Sequence, residues 1–264
     1  MKFTKSKPFA KKSFGQNFLT DENYINKIIT AVNPQKGETI IEIGAGRGAL
    51  TEKLIESSAF IIAIEFEREM ITVLKEKFGQ KENFQLIESD ALKVDFKELV
   101  NLTSQIAGYK LVANLPYNIS TAILQKLIEQ REVFSEMVLM FQREVAEKIT
   151  ANVGNSERGF LSVLAQNYLE PEKLFDVPPT AFRPAPKVWS SVIRLIPKKV
   201  IIENETLFRE TIAAGFAQRR KTILNNLKLK FKNAEKILED CEIDSKRRAE
   251  TLNIEEWRKI VHFI

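Results

Sequence analysis

The chain reads as an α/β protein: a doubly wound, mostly parallel sheet followed by a small all-helical C-terminal domain. Three observations predict this. Short apolar runs alternate with amphipathic helical stretches as far as Ile196. The first clear run, Thr39-Ile40-Ile41-Glu42-Ile43, passes directly into Gly44-Ala45-Gly46-Arg47-Gly48 and then a helix. Beyond Pro197-Lys198-Lys199 only helical spacing remains, which places a domain boundary there.

Composition narrows the function classes. The 264 residues are 44% hydrophobic and 28% charged, enough for one good core and a smaller second one. No apolar run approaches the roughly 20 residues of a membrane span. The basic N-terminal stretch has no apolar centre of a signal peptide. Cys241 is the only cysteine, so intrachain disulfides are excluded and a reducing, cytoplasmic setting is expected. His262 is the only histidine, which removes histidine catalysis and histidine-based metal sites. No metal is expected.

In chain order, residues 1–18 form a basic arm in which Phe3, Phe9, Phe14 and Phe18 are spaced among Lys2, Lys5, Lys7, Lys11 and Lys12, without an acid. Cations interleaved with rings suit phosphates and bases, though such rings can also pin an arm to a core. A helix follows on Ile25, Ile28, Ile29 and Val32. After the glycine turn and its helix, the second strand Phe60–Ile64 ends on Glu65, 21 residues past Gly44. A carboxylate there can take both ribose hydroxyls of a nucleoside. The third strand, Phe84–Ile87, leads into Asp90-Ala91, and Asp90 can accept from an adenine amino group. Glu42 stands before the turn, where it either meets a cationic ligand or holds the loop.

The third glycine falls one step early for a nicotinamide fingerprint, so a nicotinamide oxidoreductase is the lesser reading. Acids at successive strand ends, with no phosphate-binding Lys or Arg evident, favour a cationic ligand without phosphates. S-adenosylmethionine meets that description.

The fourth strand ends Asn114-Leu115-Pro116-Tyr117. Pro116 fixes its own φ and pushes Leu115 out of the α region, so the chain leaves the strand extended. An amide oxygen, a carbonyl and an aromatic face then stand at one sheet edge, a seat for an exocyclic amine. Later strands are expected at 137–141, 175–177 and 188–196, with helices over 143–149 and 161–166. The four-proline loop 177–187 is expected to expose Phe182 as the far wall of a base pocket, with a core role for that ring the alternative. Residues 218–232 hold Arg219, Arg220, Lys221, Lys228, Lys230 and Lys232 without an acid, and with a net charge of +5 this suggests a polyanionic partner. Asn253 and Glu256 can cap the last helix.

Taken together, Lys12–Leu19, Glu42–Gly48, Glu65, Asp90-Ala91, Asn114–Thr121, Phe141–Ala146, Phe182–Val188, Phe216–Thr222 and Arg248–Leu252 resemble, in order, the ribosomal RNA adenine N6,N6-dimethyltransferases that act on small-subunit rRNA. The resemblance implies a class I (Rossmann-like) S-adenosylmethionine-dependent methyltransferase core over 1–198 and a helical RNA-binding domain over 199–264. It implies cofactor contacts from Asn17, Leu19, Gly44, Glu65, Asp90 and Asn114; beside them Glu42, Gly46 and Ala91 are expected at the cofactor, and Asn114 to Tyr117 with Phe182 at the acceptor. Lys11, Lys12, Arg219, Arg220 and Lys221 would bind RNA. The implied substrate is a pair of adjacent adenosines in a 3′-terminal hairpin loop of 16S rRNA, each methylated twice by a monomeric enzyme. Relatives that methylate 23S rRNA and confer macrolide-type resistance, and a non-catalytic ribosome assembly factor, are the alternatives. Trp189 departs from the small or acidic residue usual after Lys-Val in that family.

Overall fold

The computed structural model describes residues 17–101, 108–200 and 202–264. The first sixteen residues, with Lys11, Lys12, Phe3, Phe9 and Phe14, therefore lie outside the described part. The chain divides into two compact units, one of residues 1–146 with 172–197 and one of 147–171 with 198–264.

In the first unit, the strands β1 (Phe18–Leu19), β2 (Thr39–Ile43), β3 (Phe60–Glu65), β4 (Phe84–Glu88), β5 (Tyr109–Asn114) and β6 (Phe134–Gln142) alternate with helices. These are α1 (Glu22–Val32), α2 (Ala49–Glu56), α3 (Arg68–Phe78), α4 (Phe96–Asn101) and α5 (Ser120–Glu129). Helices α6 (Arg143–Thr150) and α7 (Phe160–Tyr168) come next, then β7 (Leu169–Val177), β8 (Phe182–Arg183) and β9 (Ser190–Pro197).

The main sheet runs β4-β3-β2-β5-β6-β9-β7, with β4 to β6 parallel and β9 antiparallel to β6. All five β2 residues are buried, as a central strand covered on both faces requires. The chain first builds outward from β2 to β4 and then returns to the other side of β2 with β5. That reversal puts a crevice at the carboxyl ends of β2 and β5, where open α/β sheets bind ligands. Asp21 caps α1 by accepting from the Asn23 N–H, and Ile25, Ile28 and Val32 turn into the core.

β1 pairs with β8, setting Leu19 opposite Phe182. This short ladder overturns the expected exposure of Phe182. Its ring is fully buried among Leu19, Ile25, Ile28, Ala181 and Val192.

The second unit begins inside α6 and includes α7. Residues 147–171 thus fall with the C-terminal helices rather than with the sheet, a difference from the division at residue 198. The reason lies in packing: Tyr168 meets Phe208 edge-on at 6.1 Å, and Arg258 Nε donates to Asn167 Oδ1 at 2.8 Å. The remaining helices are α8 (Glu205–Gly215), α9 (Ile223–Leu227), α10 (Ala234–Asp240) and α11 (Ile254–His262). Asn253 and Glu256 form the expected capping box of α11. Trp257 stacks on Phe216 at 5.5 Å, and Gly215 makes room for it, since a Cβ there would sit 2.3 Å from the indole. No helix among the described residues is long and apolar enough to cross a membrane.

Candidate active site

A cavity of about 780 Å³ opens at the carboxyl edge of the first unit. It gathers Asn17, Leu19, Glu42, Gly44, Gly46, Glu65, Asn114, Leu115, Pro116 and Tyr117 from segments nearly a hundred residues apart. The strand ends explain the convergence: β2, β3 and β5 are adjacent and parallel, so their terminal residues emerge side by side.

Gly44, Gly46 and Gly48 all have positive φ, so the loop after β2 coils back in a way L side chains resist. At Gly48 the constraint is also steric, because a Cβ would lie 2.4 Å from the Phe78 ring. Glu65 holds this loop in place. Its Oε2 accepts from Gly46 N–H at 2.8 Å, and its Oε1 from Phe66 and Glu67 N–H, both at 2.9 Å. Three donors on a carboxylate with about four acceptor positions leave room for a further hydroxyl. Phe66, the next residue, has a ring that is 61% exposed.

Glu42 behaves differently. It is 2% exposed, and its Oε2 accepts from Thr51 Oγ1 at 2.6 Å. Burial pushes its carboxyl up to about 7, the Thr51 bond offsets part of this, and the Glu65 charge adds to it. Of its two expected roles, the hydrogen bond supports the structural one: Glu42 ties the strand to the first turn of α2.

Asn114 ends β5 with its side chain at the cavity. Its Nδ2 donates to the Asn17 carbonyl at 3.2 Å. A carbonyl can only accept, so the amide nitrogen must face Asn17, and Oδ1 is the end left to accept from a ligand. Tyr117 is pinned at its hydroxyl, 2.7 Å from Ser190 Oγ, and burial raises its pKa while the Ser190 bond lowers it in part. Asn17 was expected at the cofactor, but its carbonyl bond to Asn114 was not foreseen, and Ser190 was not singled out. A backbone carbonyl carries no residue signature, and Ser190 lies 73 residues from its partner.

Other expectations fare differently. Asp90 and Ala91 do not line the cavity; Asp90 Oδ1 caps its own turn by accepting from Leu92 N–H at 2.9 Å. Bases do reach the cavity, contrary to the expectation: Arg47, Lys53 and Lys77 line it beside six glutamates. Each is engaged locally. Arg47 lies over the Phe18 ring at 4.3 Å, Lys53 pairs with Glu56, and Lys77 donates to the Arg47 carbonyl. The lining remains predominantly acidic, which suits a cationic nucleoside. In the second unit, Arg219, Arg220 and Lys221 are exposed, and a smaller cavity of about 210 Å³ is bordered by Arg158, Arg219, Arg220 and Arg248. No group of His, Cys, Asp and Glu among the described residues has the arrangement of a metal site.

Comparison with known proteins now decides the family. Residues 9–264 match the model of the ribosomal RNA adenine dimethylase family. The chain belongs to this family. It is 43% identical over 262 residues to the ribosomal RNA small subunit methyltransferase A of Moorella thermoacetica, covering 95% of this chain and 91% of that one. The protein of the same name from Hahella chejuensis is 38% identical over 258 residues, covering 97% and 93%. Among solved structures, a dimethyladenosine transferase from Plasmodium falciparum superposes with a TM-score of 0.77 at 28% identity, covering 92% of this chain and 95% of that one. The 23S rRNA methyltransferase ErmE, at 21% identity and a TM-score of 0.70, shares the fold, with 94% and 99% covered. The class I architecture and an S-adenosylmethionine-dependent rRNA adenine dimethyltransferase activity follow from this membership. The acid-lined cavity and its glycine loop fit that cofactor.

Proposed function

We propose that the protein dimethylates N6 of two adjacent adenosines in the 3′-terminal hairpin loop of 16S rRNA during small-subunit biogenesis, acting as a cytoplasmic monomer. The single observation that carries the acceptor chemistry is the Asn114 amide, turned by the Asn17 carbonyl so that Oδ1 is presented at the cavity. The family match and the names of the relatives support the RNA assignment.

S-adenosylmethionine supplies, when bound, a methyl group already activated by its sulfonium charge. Glu65 would hold its ribose, and the positive-φ glycines of the Gly44–Gly48 loop would let the backbone approach it closely. The chain's remaining task is the nucleophile, because the adenine amino lone pair is delocalised into the ring. Asn114 Oδ1 and the Leu115 carbonyl would accept hydrogen bonds from the amine's two N–H donors, favouring a pyramidal nitrogen whose lone pair can form the new N–C bond as the sulfonium S–C bond breaks, with the surplus proton released to solvent. This is preorganised electrostatics rather than proton abstraction. Tyr117, its hydroxyl fixed by Ser190, gives a splayed-out adenine a stacking face worth roughly 1–3 kcal/mol. At the second methylation one N–H bond is replaced by a methyl, so a single acceptor must suffice. Arg219, Arg220 and Lys221 on the helical unit would meet RNA phosphates.

The test incubates the protein with labelled S-adenosylmethionine and unmethylated 30S subunits, 50S subunits or duplex DNA. Label in 16S rRNA as N6,N6-dimethyladenosine is the expected result. Label confined to 23S rRNA or DNA overturns the substrate assignment, and no label in any arm returns the chain to a binding-factor role.

A further inference from the structure

The register extends the carboxyl edge past the acceptor residues. Asn114 on β5 lies opposite Met140 on β6, Met140 opposite Val192 on β9, and Gln142 opposite Ser190. Because β9 is antiparallel, its first residues stand at the same edge as Asn114, two strand spacings or roughly 10 Å away. Trp189 occupies the position just before Ser190.

Trp189 is anchored by its backbone and exposed by its ring. Its carbonyl accepts the Arg143 N–H at 2.9 Å, and the Arg143 guanidinium lies 6.0 Å from the indole centroid. The following residue, Ser190, is fully buried and meets the Tyr117 hydroxyl at 2.7 Å. The link from Trp189 to the acceptor ring therefore runs through one peptide bond and one hydrogen bond. Yet Trp189 is 44% exposed, and Val188 beside it is 43% exposed. Single exposed apolar side chains need no explanation on a protein surface. Trp189 differs in its backbone link to Ser190, the partner of Tyr117, and in the guanidinium near its ring. A ring with an adjacent guanidinium is the composition of a single-strand nucleic-acid platform, where the face stacks a base and the charge meets phosphate.

We propose that Trp189, backed by Arg143, stacks a nucleobase flanking the methyl-accepting adenine and so sets where the RNA strand crosses the carboxyl edge. This rests on the acceptor reading of Asn114 and Tyr117. Trp189 is a specificity residue in this account, touching a neighbouring nucleotide rather than the reacting atoms.

The chain's own fluorescence gives a readout independent of activity. Trp257, the other of its two tryptophans, is fully buried, so the solvent-exposed emission belongs to Trp189. The probe is a hairpin RNA of the small-subunit 3′ end with unmethylated loop adenosines, titrated with and without an abasic nucleotide beside them. The intact hairpin should quench the exposed emission of the wild type, and Trp189→Phe should remove that signal. Trp189→Ala should raise KM for the intact hairpin about tenfold while leaving kcat and the KM for S-adenosylmethionine nearly unchanged, with Trp189→Phe restoring most of the affinity. The abasic hairpin should cost the wild type a similar factor and cost Trp189→Ala nothing further. An unchanged KM in Trp189→Ala, or an abasic penalty equal in both proteins, overturns the proposal. A wild type that methylates no RNA overturns the acceptor reading instead, and the quenching then still decides the stacking.

Discussion

The two sides of the crevice are built from different chemistry, although both stand at the same edge of one sheet. On the β2–β3 side are carboxylates and glycines: Glu42 tied to Thr51, Glu65 holding three backbone N–H groups, and a loop of positive-φ residues. On the β5–β9 side are a neutral amide, aromatic rings and a hydroxyl: Asn114, Tyr117, Ser190 and Trp189. The acidic side matches a cationic nucleoside. The neutral side matches an uncharged amine that must be oriented and kept nucleophilic, where a fixed amide dipole serves and a charge is not needed. If the proposed roles hold, one sheet edge keeps cofactor binding apart from acceptor activation, and damage to one side should leave the other largely intact.

A substitution beneath both sides should break this separation. Phe182→Ala removes a fully buried ring from the cluster shared by Leu19, Ile25 and Val192. A loss of about 3–5 kcal/mol in urea unfolding is expected, with cofactor and RNA functions lost together. Retained stability with a selective rise in the KM for RNA would instead restore Phe182 as a wall of the base pocket.

The acidic side carries a pH signature. Glu42 titrates near 7 in the folded protein against 4.5 ordinarily, mainly because burial disfavours its charge. Between those values the folded state keeps a proton that the unfolded chain has released. This group's contribution is therefore full below about 4.5, and stability is lost as pH rises, levelling off above about 7. The cost at pH 8 is roughly 3 kcal/mol. Glu42→Gln should remove it, so the variant gains on the wild type in urea unfolding at pH 8 and shows little difference near pH 4.5. An equal difference at both pH values would place the effect elsewhere.

Glu65→Gln should act on one side only. It replaces charge-assisted bonds to Gly46, Phe66 and Glu67 by weaker ones, and a 10- to 100-fold rise in the Kd for S-adenosylmethionine is expected by calorimetry. At saturating cofactor the KM for RNA should stay near that of the wild type. A parallel loss in both would join the two sides.

The parts of this design that could be read from sequence are those with local signatures. Apolar runs located β2, β3 and β5, and glycines marked the loop, because a buried parallel strand and a positive-φ turn each restrict residue type over a few positions. Glu65 and Asn114 were legible as polar residues ending such runs. What the sequence did not reveal are contacts without a local pattern. The two-residue ladder that buries Phe182 joins segments more than 160 residues apart. Asp90 satisfies a turn N–H, a bond any Asx turn can make. Arg47, Lys53 and Lys77 reach the cavity through the wrap of the loop and neighbouring helices, which spacing from the glycines did not reveal. Helical periodicity identified α6 and α7 but could not say which core they join.

Asn114 is expected to activate the acceptor and to contribute little to holding the cofactor. The most direct measurement pairs the calorimetric Kd for S-adenosylmethionine with single-turnover methylation of unmethylated small subunits in Asn114→Ala. Methylation should slow by about 10²–10³-fold with the Kd changed by less than about threefold. Wild-type dimethylation, or a loss of cofactor affinity matching the loss of rate, would contradict it.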